Sequence, residues 1–535
     1  MLTRRSLFMA AAAQLAHRKP NVVFILTDDQ GYGDLSIHGN RNLKTPAIDS
    51  IARDGARFTN FHSSPVCSPT RSSLLTGRYN YRTGVVDTYL GRSMMHADEV
   101  TIAEMLKPAG YISGIFGKWH LGDNYPLRAC DQGFDESLVI NGGGLLQPGD
   151  PPEALTGVKP SYFDPLLSRN GKWEAQKGYC TDIFFREAMQ FITRHKKAPF
   201  FCYIATNAPH DPLEVAPELV KPFLEQGLDE RTAKTYAMVA NIDSNVAKLL
   251  SHLKSEGLER DTIVIFMTDN GPQRARFNSE LRDIKGSAYE GGIHVPFFVR
   301  WPGKIEPGTI SDRLAAHIDF TPTILAAAGV KTKVKLDGYD LFGKEETDRK
   351  IVLQWHRGDV PEPFRNSAVL TSRYKLVNGK ELYDLKADPA ESKDLAPTNP
   401  SKVQELRGAY EAWYRDVAST RNFAPPKIAF TTHAPVLLTR QDWRGPEATW
   451  DAKGHGYWEV DVSARGPYMV SLLFEAPQAD TTLKATWLGE HPIKAGQARL
   501  DLEKISIPPG PQRFEASIGS RGIHYAYFKI PEAAH

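Results

Sequence analysis

Four apolar runs in this chain each lead into polar residues that a folded core does not need. Thr27-Asp28-Asp29 follows residues 21–26, and Gly117-Lys118-Trp119-His120 follows 111–116. Thr206-Asn207-Ala208-Pro209-His210 follows 199–205, and Thr268-Asp269-Asn270-Gly271 follows 262–267. Asp28, Asp29, Asp269 and Asn270 together offer only oxygen ligands and about three negative charges, a set that suits a hard divalent cation over zinc or copper. Calcium is favoured, since several carboxylates meet its loose coordination; magnesium is the other hard cation the set accepts. Taken singly, an Asp-Asp or Asp-Asn after a strand is more often a turn or a helix cap. The shared position of the four segments changes that reading.

A fifth segment, "SSPVCSPTRSSLLTG" from Ser63 to Gly77, poses a separate chemical question. Pro69 suits the start of a helix, which places Cys67 just ahead of the N-terminus, where free N–H groups favour an anion and lower a thiol pKa. Read literally, Cys67 is an activated thiolate. Yet a soft sulfur is poorly matched to an all-oxygen cation site, and a cysteine nucleophile normally works with a histidine rather than a hard metal. The mismatch implies that the working side chain is not a thiol. A buried structural cysteine would leave Arg71, one turn on, unexplained.

The elements that must position these residues follow from periodicity. The four runs, with a fifth at 295–301, lack polar alternation, as strands buried on both faces do. Helical patterns separate them: 101–109 opens with the capping box Thr101-x-x-Glu104, 181–195 is amphipathic, and 231–256 stops at Gly257. The expected fold is α/β, a large mostly parallel sheet sandwiched by helices over residues 20–330, whose carboxyl strand ends share one ligand crevice. Residues 331–426 read as a small α+β subdomain with a hairpin at 373–385 around Asn378-Gly379 and one helix at 401–419. From 427 to 535, short strand-like pieces separated by Gly and Pro predict a terminal all-β sandwich. Residues 141–179, rich in Gly and Pro with Trp173 near their end, are expected as loops over the crevice.

Bulk properties narrow the function classes. A chain of 535 residues with 41% hydrophobic and 24% charged residues is an ordinary globular protein, and its net charge of +2 gives no reason to expect nucleic acid as a partner. Four cysteines are too few for a disulfide scaffold, although one bridge among Cys130, Cys180 and Cys202 is open in an oxidising compartment. Residues 1–19, with paired arginines before a short apolar stretch, read as a twin-arginine-type signal. No run approaches the ~20 apolar residues of a membrane span, so the expected protein is exported, periplasmic or secreted, and not an integral membrane protein.

C-S-P-T-R followed by "SSLLTGR" resembles the signature of the type I sulfatases of the alkaline phosphatase superfamily. The resemblance extends through "FILTDDQGYGDL", "TPAIDSIARDGARFTNFH", "GKWHLG", "DQGFD", "APH", "TDNG", "KGSAYEGGIHVPFF" and "LYDLKADPAE", and no motif of it is found beyond residue 427. It implies that a maturation enzyme oxidises Cys67 to formylglycine. It further implies that Asp28, Asp29, Asp269 and Asn270 bind calcium with an oxygen of the modified Cys67, and that Arg71 holds the aldehyde hydrate. Lys118, His120, His210 and Lys285 would surround the sulfate. In the implied reaction a hydrate hydroxyl attacks sulfur, Lys285 or His210 protonates the departing alcohol, and His120 or a nearby carboxylate takes the second hydroxyl's proton as sulfate leaves. The substrate would be a small-molecule or oligosaccharide sulfate monoester, with sulfated sugars favoured by analogy. Two alternatives stand beside this reading: a formylglycine-dependent phosphodiesterase or phosphonate monoester hydrolase, and an inactive secreted glycan-binding protein. The presence of the full residue set counts against the second. His38, His62 and His317 carry no comparable context, and Trp119 reads as packing.

Overall fold

Residues 21–26 lack polar alternation because both faces of their strand are covered. In a computed structural model, which describes residues 19–150, 161–344, 348–464 and 466–531, Asn21–Thr27 (β1) sends Val22, Phe24 and Leu26 into one apolar cluster and Val23 and Ile25 into another. Helices Pro46–Arg53, Cys180–His195 and Glu230–Ser255 close the second cluster, while Cys67–Thr76, Ile102–Leu106 and Phe320–Ala327 close the first. The local signals act as read. Thr101 and Glu104 form a reciprocal capping box, and Asp229 Oδ1 accepts the Arg231 and Thr232 N–H groups at 3.1 and 3.0 Å, starting the helix that Gly257 ends at φ 70°.

β1 sits inside a ten-stranded sheet with Ala56–Phe58 (β2), Ile112–Lys118 (β3), Glu136–Ile140 (β4), Leu166–Arg169 (β5), Lys172–Ala175 (β6), Phe200–Ala205 (β7), Thr262–Thr268 (β8), Phe297–Arg300 (β9) and Thr309–Ser311 (β10). The spatial order is β10-β2-β9-β8-β1-β7-β3-β4-β5-β6. β8, β1, β7 and β3 are consecutive and parallel, so all four polar segments emerge along one sheet edge. β4 extends the parallel run beside β3 and β10 is parallel to β2, whereas β9, β5 and β6 pair antiparallel to their neighbours, so the sheet as a whole is mixed. The run at 295–301 returns directly alongside β8, because no long crossover helix intervenes to make it parallel.

Two expectations are corrected. Residues 141–179 are not loops throughout: their later half forms the β5–β6 hairpin at the sheet edge, where Trp173 pairs with Ser168 away from the crevice. Residues 151–160 of that stretch, and the signal reading at 1–19 but for Lys19, lie outside the described residues. Cys67 is the first residue of its helix rather than the residue ahead of it, with Val66 as N-cap. Cys130, Cys180 and Cys202 are all free thiols, two of them buried on or against separate core elements.

Beyond the large sheet, Ile351–Gln354, Ser367–Leu370, Tyr374–Val377 and Glu381–Asp384 form a four-stranded antiparallel sheet packed by helix Pro400–Arg421 through Leu406 and Tyr410. Asn378 and Gly379 (φ 54° and 66°) make its tight turn, closed by the Lys380 N–H to Val377 C=O at 2.9 Å. The chain ends in a six-stranded and a four-stranded sheet around Trp443, Trp458, Phe514 and Phe528. Leu90, Met94 and Leu127 of the preceding region enter that core, which fastens the β-sandwich to the large sheet's carboxyl edge. Among the described residues no helix is long and apolar enough to cross a membrane.

Candidate active site

The strand-end segments meet because their strands are neighbours. Asp28 leaves β1 with its N–H bonded to Ala208 C=O at 3.2 Å, and Asp29 donates its N–H to Asp269 Oδ1 at 3.1 Å. Asp29 and His120 hold left-handed backbones (φ 62° and 60°), a strain that the surrounding hydrogen bonds offset. Gly117 has φ 135°, and a Cβ there would fall 1.7 Å from Ala205 C=O, so only glycine lets β3 approach β7 while turning Lys118 and His120 inward.

Helix Cys67–Thr76 is buried over its whole length, and no side chain caps its N-terminus. The N–H groups of Cys67 and Ser68 are therefore left without a side-chain acceptor at the end of the helix that borders the crevice, an arrangement suited to an anion. Arg71, one turn in and fully buried, donates to Asp269 Oδ2 at 2.8 Å and to Lys118 C=O at 3.1 Å. Lys118 Nζ reaches Asp28 Oδ2 at 2.6 Å, and Lys285 Nζ reaches Asp29 at 2.6 Å from Oδ1. Asn270 Nδ2 donates to Asp29 Oδ1 at 2.8 Å. Three carboxylates thus meet three fixed cations, and the pocket is close to neutral.

A divalent cation would leave that pocket dipositive, which is the condition for holding an anionic ester. The donor set fits one. Oxygens of Asp28 and Asp269 and the sulfur of Cys67 all lie within 4.8 Å of one another. Two buried oxygens of the same cluster, Asp28 Oδ1 and Asn270 Oδ1, have no hydrogen-bond partner among the described residues, a costly state that a hard cation would relieve. Only the sulfur is out of character, and an oxygen in its place would make the set uniform.

Electrostatics define the states of the side chains. Burial would raise the Asp29 carboxyl, but Lys285, His210 and Lys118 hold it well below the usual carboxylate range. Burial and the adjacent Asp28 push Asp269 up to about 7. Burial also raises the Cys67 thiol, contrary to the activated thiolate its position at a helix start suggests, because desolvation outweighs Lys118 and Lys285. Burial, reinforced by Lys118 and Arg71, keeps His120 well below the usual imidazole value. Its Nε2 lies 2.7 Å from Thr88 C=O and so carries the proton, leaving the Nδ1 lone pair aimed at Cys67 Sγ, 3.5 Å away. His210 commits Nδ1–H to Asp211 C=O at 2.5 Å, and burial lowers it to about 4.

All ten residues singled out from the sequence are therefore gathered around one crevice of about 440 Å³, whose wall includes Cys67, His120, His210 and Lys285. A larger cavity of about 750 Å³, between Trp173 and the terminal β-sandwich, contains none of these groups. Sequence spacing missed Thr88, which orients His120, and Arg276, which donates to Asp29 C=O at 3.2 Å while paired with buried Asp34. It also missed Tyr89, Trp355, Arg357 and Trp450 at the crevice mouth, none of which carries a local signal. The unassigned histidines have structural partners. His62 and His294 flank Glu290, whose charge Lys375 Nζ meets at 2.9 Å; His38 stacks on Tyr32; His317 Nε2 lies 3.1 Å from Ser64 Oγ. Trp119 is packed, with Nε1–H on Leu127 C=O at 2.9 Å.

Comparison with known proteins adds a family context. Residues 20–330 match the family model described as Sulfatase, and residues 284–410 match that of N-sulphoglucosamine sulphohydrolase, C-terminal. Human arylsulfatase A is 34% identical over 443 residues, covering 75% of this chain and 84% of its own. N-acetylgalactosamine-6-O-sulfatase of Bacteroides thetaiotaomicron is 30% identical over 488 residues, covering 74% and 93%. Among solved structures, Ps i-CgsB superposes with a TM-score of 0.68 at 30% identity, covering 76% of this chain and 94% of its own.

Proposed function

From the premise that the chain belongs to the sulfatase family, the type I sulfatases of the alkaline phosphatase superfamily, and is a sulfuric ester hydrolase, we propose that it cleaves carbohydrate sulfate monoesters. The proposed cofactors are an aldehyde made from Cys67 by a maturation enzyme and one calcium ion on Asp28, Asp29, Asp269 and Asn270. The observation that carries the reading is the convergence of the Asp28, Cys67 and Asp269 ligand atoms within 4.8 Å, beside orphaned oxygens of Asp28 and Asn270. Support for a sugar substrate comes from relatives named N-acetylgalactosamine-6-sulfatase, and from Ps i-CgsB, solved in complex with a neocarrahexaose.

In this reading calcium supplies Lewis-acid charge, and the hydrated aldehyde supplies a nucleophilic hydroxyl with an internal exit for sulfate. The chain's own residues do the rest. Arg71, locked between Asp269 and the Lys118 carbonyl, fixes the group at position 67. Lys118 and Lys285, with side chains 0% and 17% exposed, place cationic N–H donors where sulfate oxygens gain charge. His120 presents a free Nδ1 to position 67 and is the base that removes its proton. Lys285, one hydrogen bond from Asp29, is the proton donor to the leaving alcohol, since neutral His210 keeps its one ring proton on Nδ1, bonded to the Asp211 carbonyl, and has none on Nε2.

The domain reading is retained as a proposal: 20–330 catalytic, 331–426 a supporting subdomain, 427–535 accessory, with export directed by the paired arginines of 1–19. The deciding experiment coexpresses the chain with a formylglycine-generating enzyme and compares turnover of 4-nitrophenyl sulfate, phosphate and a phosphodiester. Mass spectrometry of the Cys67 peptide accompanies it. Dominant sulfate release with an aldehyde at position 67 is expected. Full activity with an untouched thiol, or a preference for the phosphodiester, would overturn the reading.

A further inference from the structure

The mouth of the crevice is built by three parts of the chain. Tyr89 comes from the loop after the short helix Asn80–Thr83, Trp355 and Arg357 follow strand Ile351–Gln354, and Trp450 is contributed by the terminal β-sandwich. Neither family-model match extends past residue 410, so Trp450 lies outside the segments those matches describe.

These side chains make an ordered wall. The Tyr89 and Trp450 rings meet edge to face, with centroids 5.3 Å apart at 87°. The Arg357 guanidinium lies 4.2 Å from the Tyr89 ring centroid and 5.2 Å from that of Trp355. Buried Asp87 fixes both partners: it takes Trp355 Nε1–H at 2.8 Å and Arg357 Nη1–H at 3.1 Å. Arg92 lies 4.0 Å from Asp87 and 2.8 Å from Asp359, which Arg444 also approaches at 3.2 Å, so three guanidiniums share two carboxylates and one positive charge is left over. The Arg357 side chain is 53% exposed, and among the described residues only its Nη1 has hydrogen-bond partners, which leaves Nε and Nη2 to meet a ligand.

The β-sandwich holds this wall in place. Gly91 N–H bonds to Gln441 C=O at 2.8 Å, Gln441 Nε2 donates to Thr88 C=O at 3.3 Å, and Arg444 donates to Gly91 C=O. The loop at 88–91 therefore carries Tyr89, orients His120 through the Thr88 carbonyl, and is anchored to the domain that supplies Trp450.

We propose that Tyr89, Arg357 and Trp450 form a leaving-group subsite for a sulfated oligosaccharide bearing a second anionic group, with Trp450 as the sugar platform. The chemistry of the wall selects that class. Aromatic faces take the C–H surface of a pyranose, and an oriented, part-exposed guanidinium takes a sulfate or carboxylate on the adjoining sugar. An aryl ester would use the rings and leave Arg357 without a role. The proposal rests on the carbohydrate-sulfatase reading above.

The test uses the full-length matured protein and its Trp450→Ala, Trp450→Phe and Arg357→Ala variants. Substrates are 4-nitrophenyl sulfate and disaccharides containing N-acetylgalactosamine 6-sulfate, with and without a second sulfate on the neighbouring sugar. Trp450→Ala is expected to lower the kcat/KM ratio of disaccharide to nitrophenyl sulfate at least tenfold, with Trp450→Phe restoring most of it. Arg357→Ala is expected to lower the ratio of disulfated to monosulfated disaccharide at least fivefold. Ratios within twofold of wild type in either Ala variant overturn the assignment of that residue. Calorimetric binding of the disulfated disaccharide to Cys67→Ala protein separates this from the chemistry. Tight binding lost in Trp450→Ala upholds the subsite even if no ester is cleaved, and absence of binding at millimolar sugar overturns it in an enzyme that cleaves nitrophenyl sulfate.

Discussion

Arg71 and Asp269, 2.8 Å apart with no solvent exposure, show what each residue at this site must satisfy. A buried guanidinium is stable only where a carboxylate meets it, and the carboxylate is tolerated only where cations surround it. The same pairing that balances the pocket also aims its groups, so a substitution here acts on chemistry and, where it leaves Arg71 without its carboxylate, on stability as well. Cys67→Ala removes one small side chain, and Asp269→Asn preserves volume while removing one charge. Each is expected to lower kcat/KM for a sulfate ester by at least a thousandfold; circular dichroism stays unchanged in Cys67→Ala, while Asp269→Asn, which leaves the Arg71 charge unmet, also lowers the thermal midpoint. Activity within tenfold of wild type would remove that residue from the mechanism. Legibility at this scale was uneven. Asp28, Asp29, Asp269 and Asn270 announced themselves as oxygen donors after apolar runs. Thr88 acts through its carbonyl, which any residue could provide, so no side-chain type marks it.

At the scale of elements, the site exists because β8, β1, β7 and β3 are adjacent and parallel, which brings four loops to one edge. That adjacency depends on close backbone contact. A methyl group at Gly117 would lie 1.7 Å from the Ala205 carbonyl, on a backbone with φ 135° that alanine avoids. Gly117→Ala is therefore expected to cost at least about 3 kcal/mol in urea unfolding, or to prevent accumulation of folded protein. A loss under about 1 kcal/mol would mean that the β3–β7 pairing yields locally. The strands themselves were readable from unbroken apolar runs. The direction of β9 was not, because a buried strand has the same composition whichever way its neighbour runs.

For the whole molecule, metal and domain packing both feed into stability. A cation that binds the folded pocket and not the unfolded chain stabilises it by mass action. Chelation is expected to lower the thermal midpoint as well as activity, and added calcium to restore both; a midpoint indifferent to chelator would count against a structural metal. The interface with the β-sandwich predicts a separate pH response. Burial pushes Asp442 and Asp150 up to about 7, and burial with those two carboxylates raises Asp123 well above the usual carboxylate range. Arg444 opposes the shift of Asp442, and the backbone around Leu146 and Gln147 opposes that of Asp150. Such groups stay protonated in the folded state where the unfolded chain, near 3.8, has released the proton. Their contribution is complete below about pH 4 and is lost as pH rises through 7. Each group costs up to about 1.4 kcal/mol per pH unit over that range. Unfolding free energy is expected to fall between pH 5 and 7, with a shallower slope in Asp442→Asn. Equal slopes in wild type and variant would show that Asp442 does not carry the effect.

The sequence by itself determined which atoms could do the chemistry: oxygen donors, an odd cysteine, and lysines and histidines at strand ends. It also determined that the strands are buried on both faces, because side-chain type and period are local properties. Tertiary structure alone decided that Asp28, Cys67 and Asp269 converge within 4.8 Å and that burial raises rather than lowers the Cys67 thiol. It alone brought Trp450 from the chain's last domain to face Tyr89. Distances across hundreds of residues and the desolvation of a charge are set by packing, and packing has no periodic trace in a linear chain.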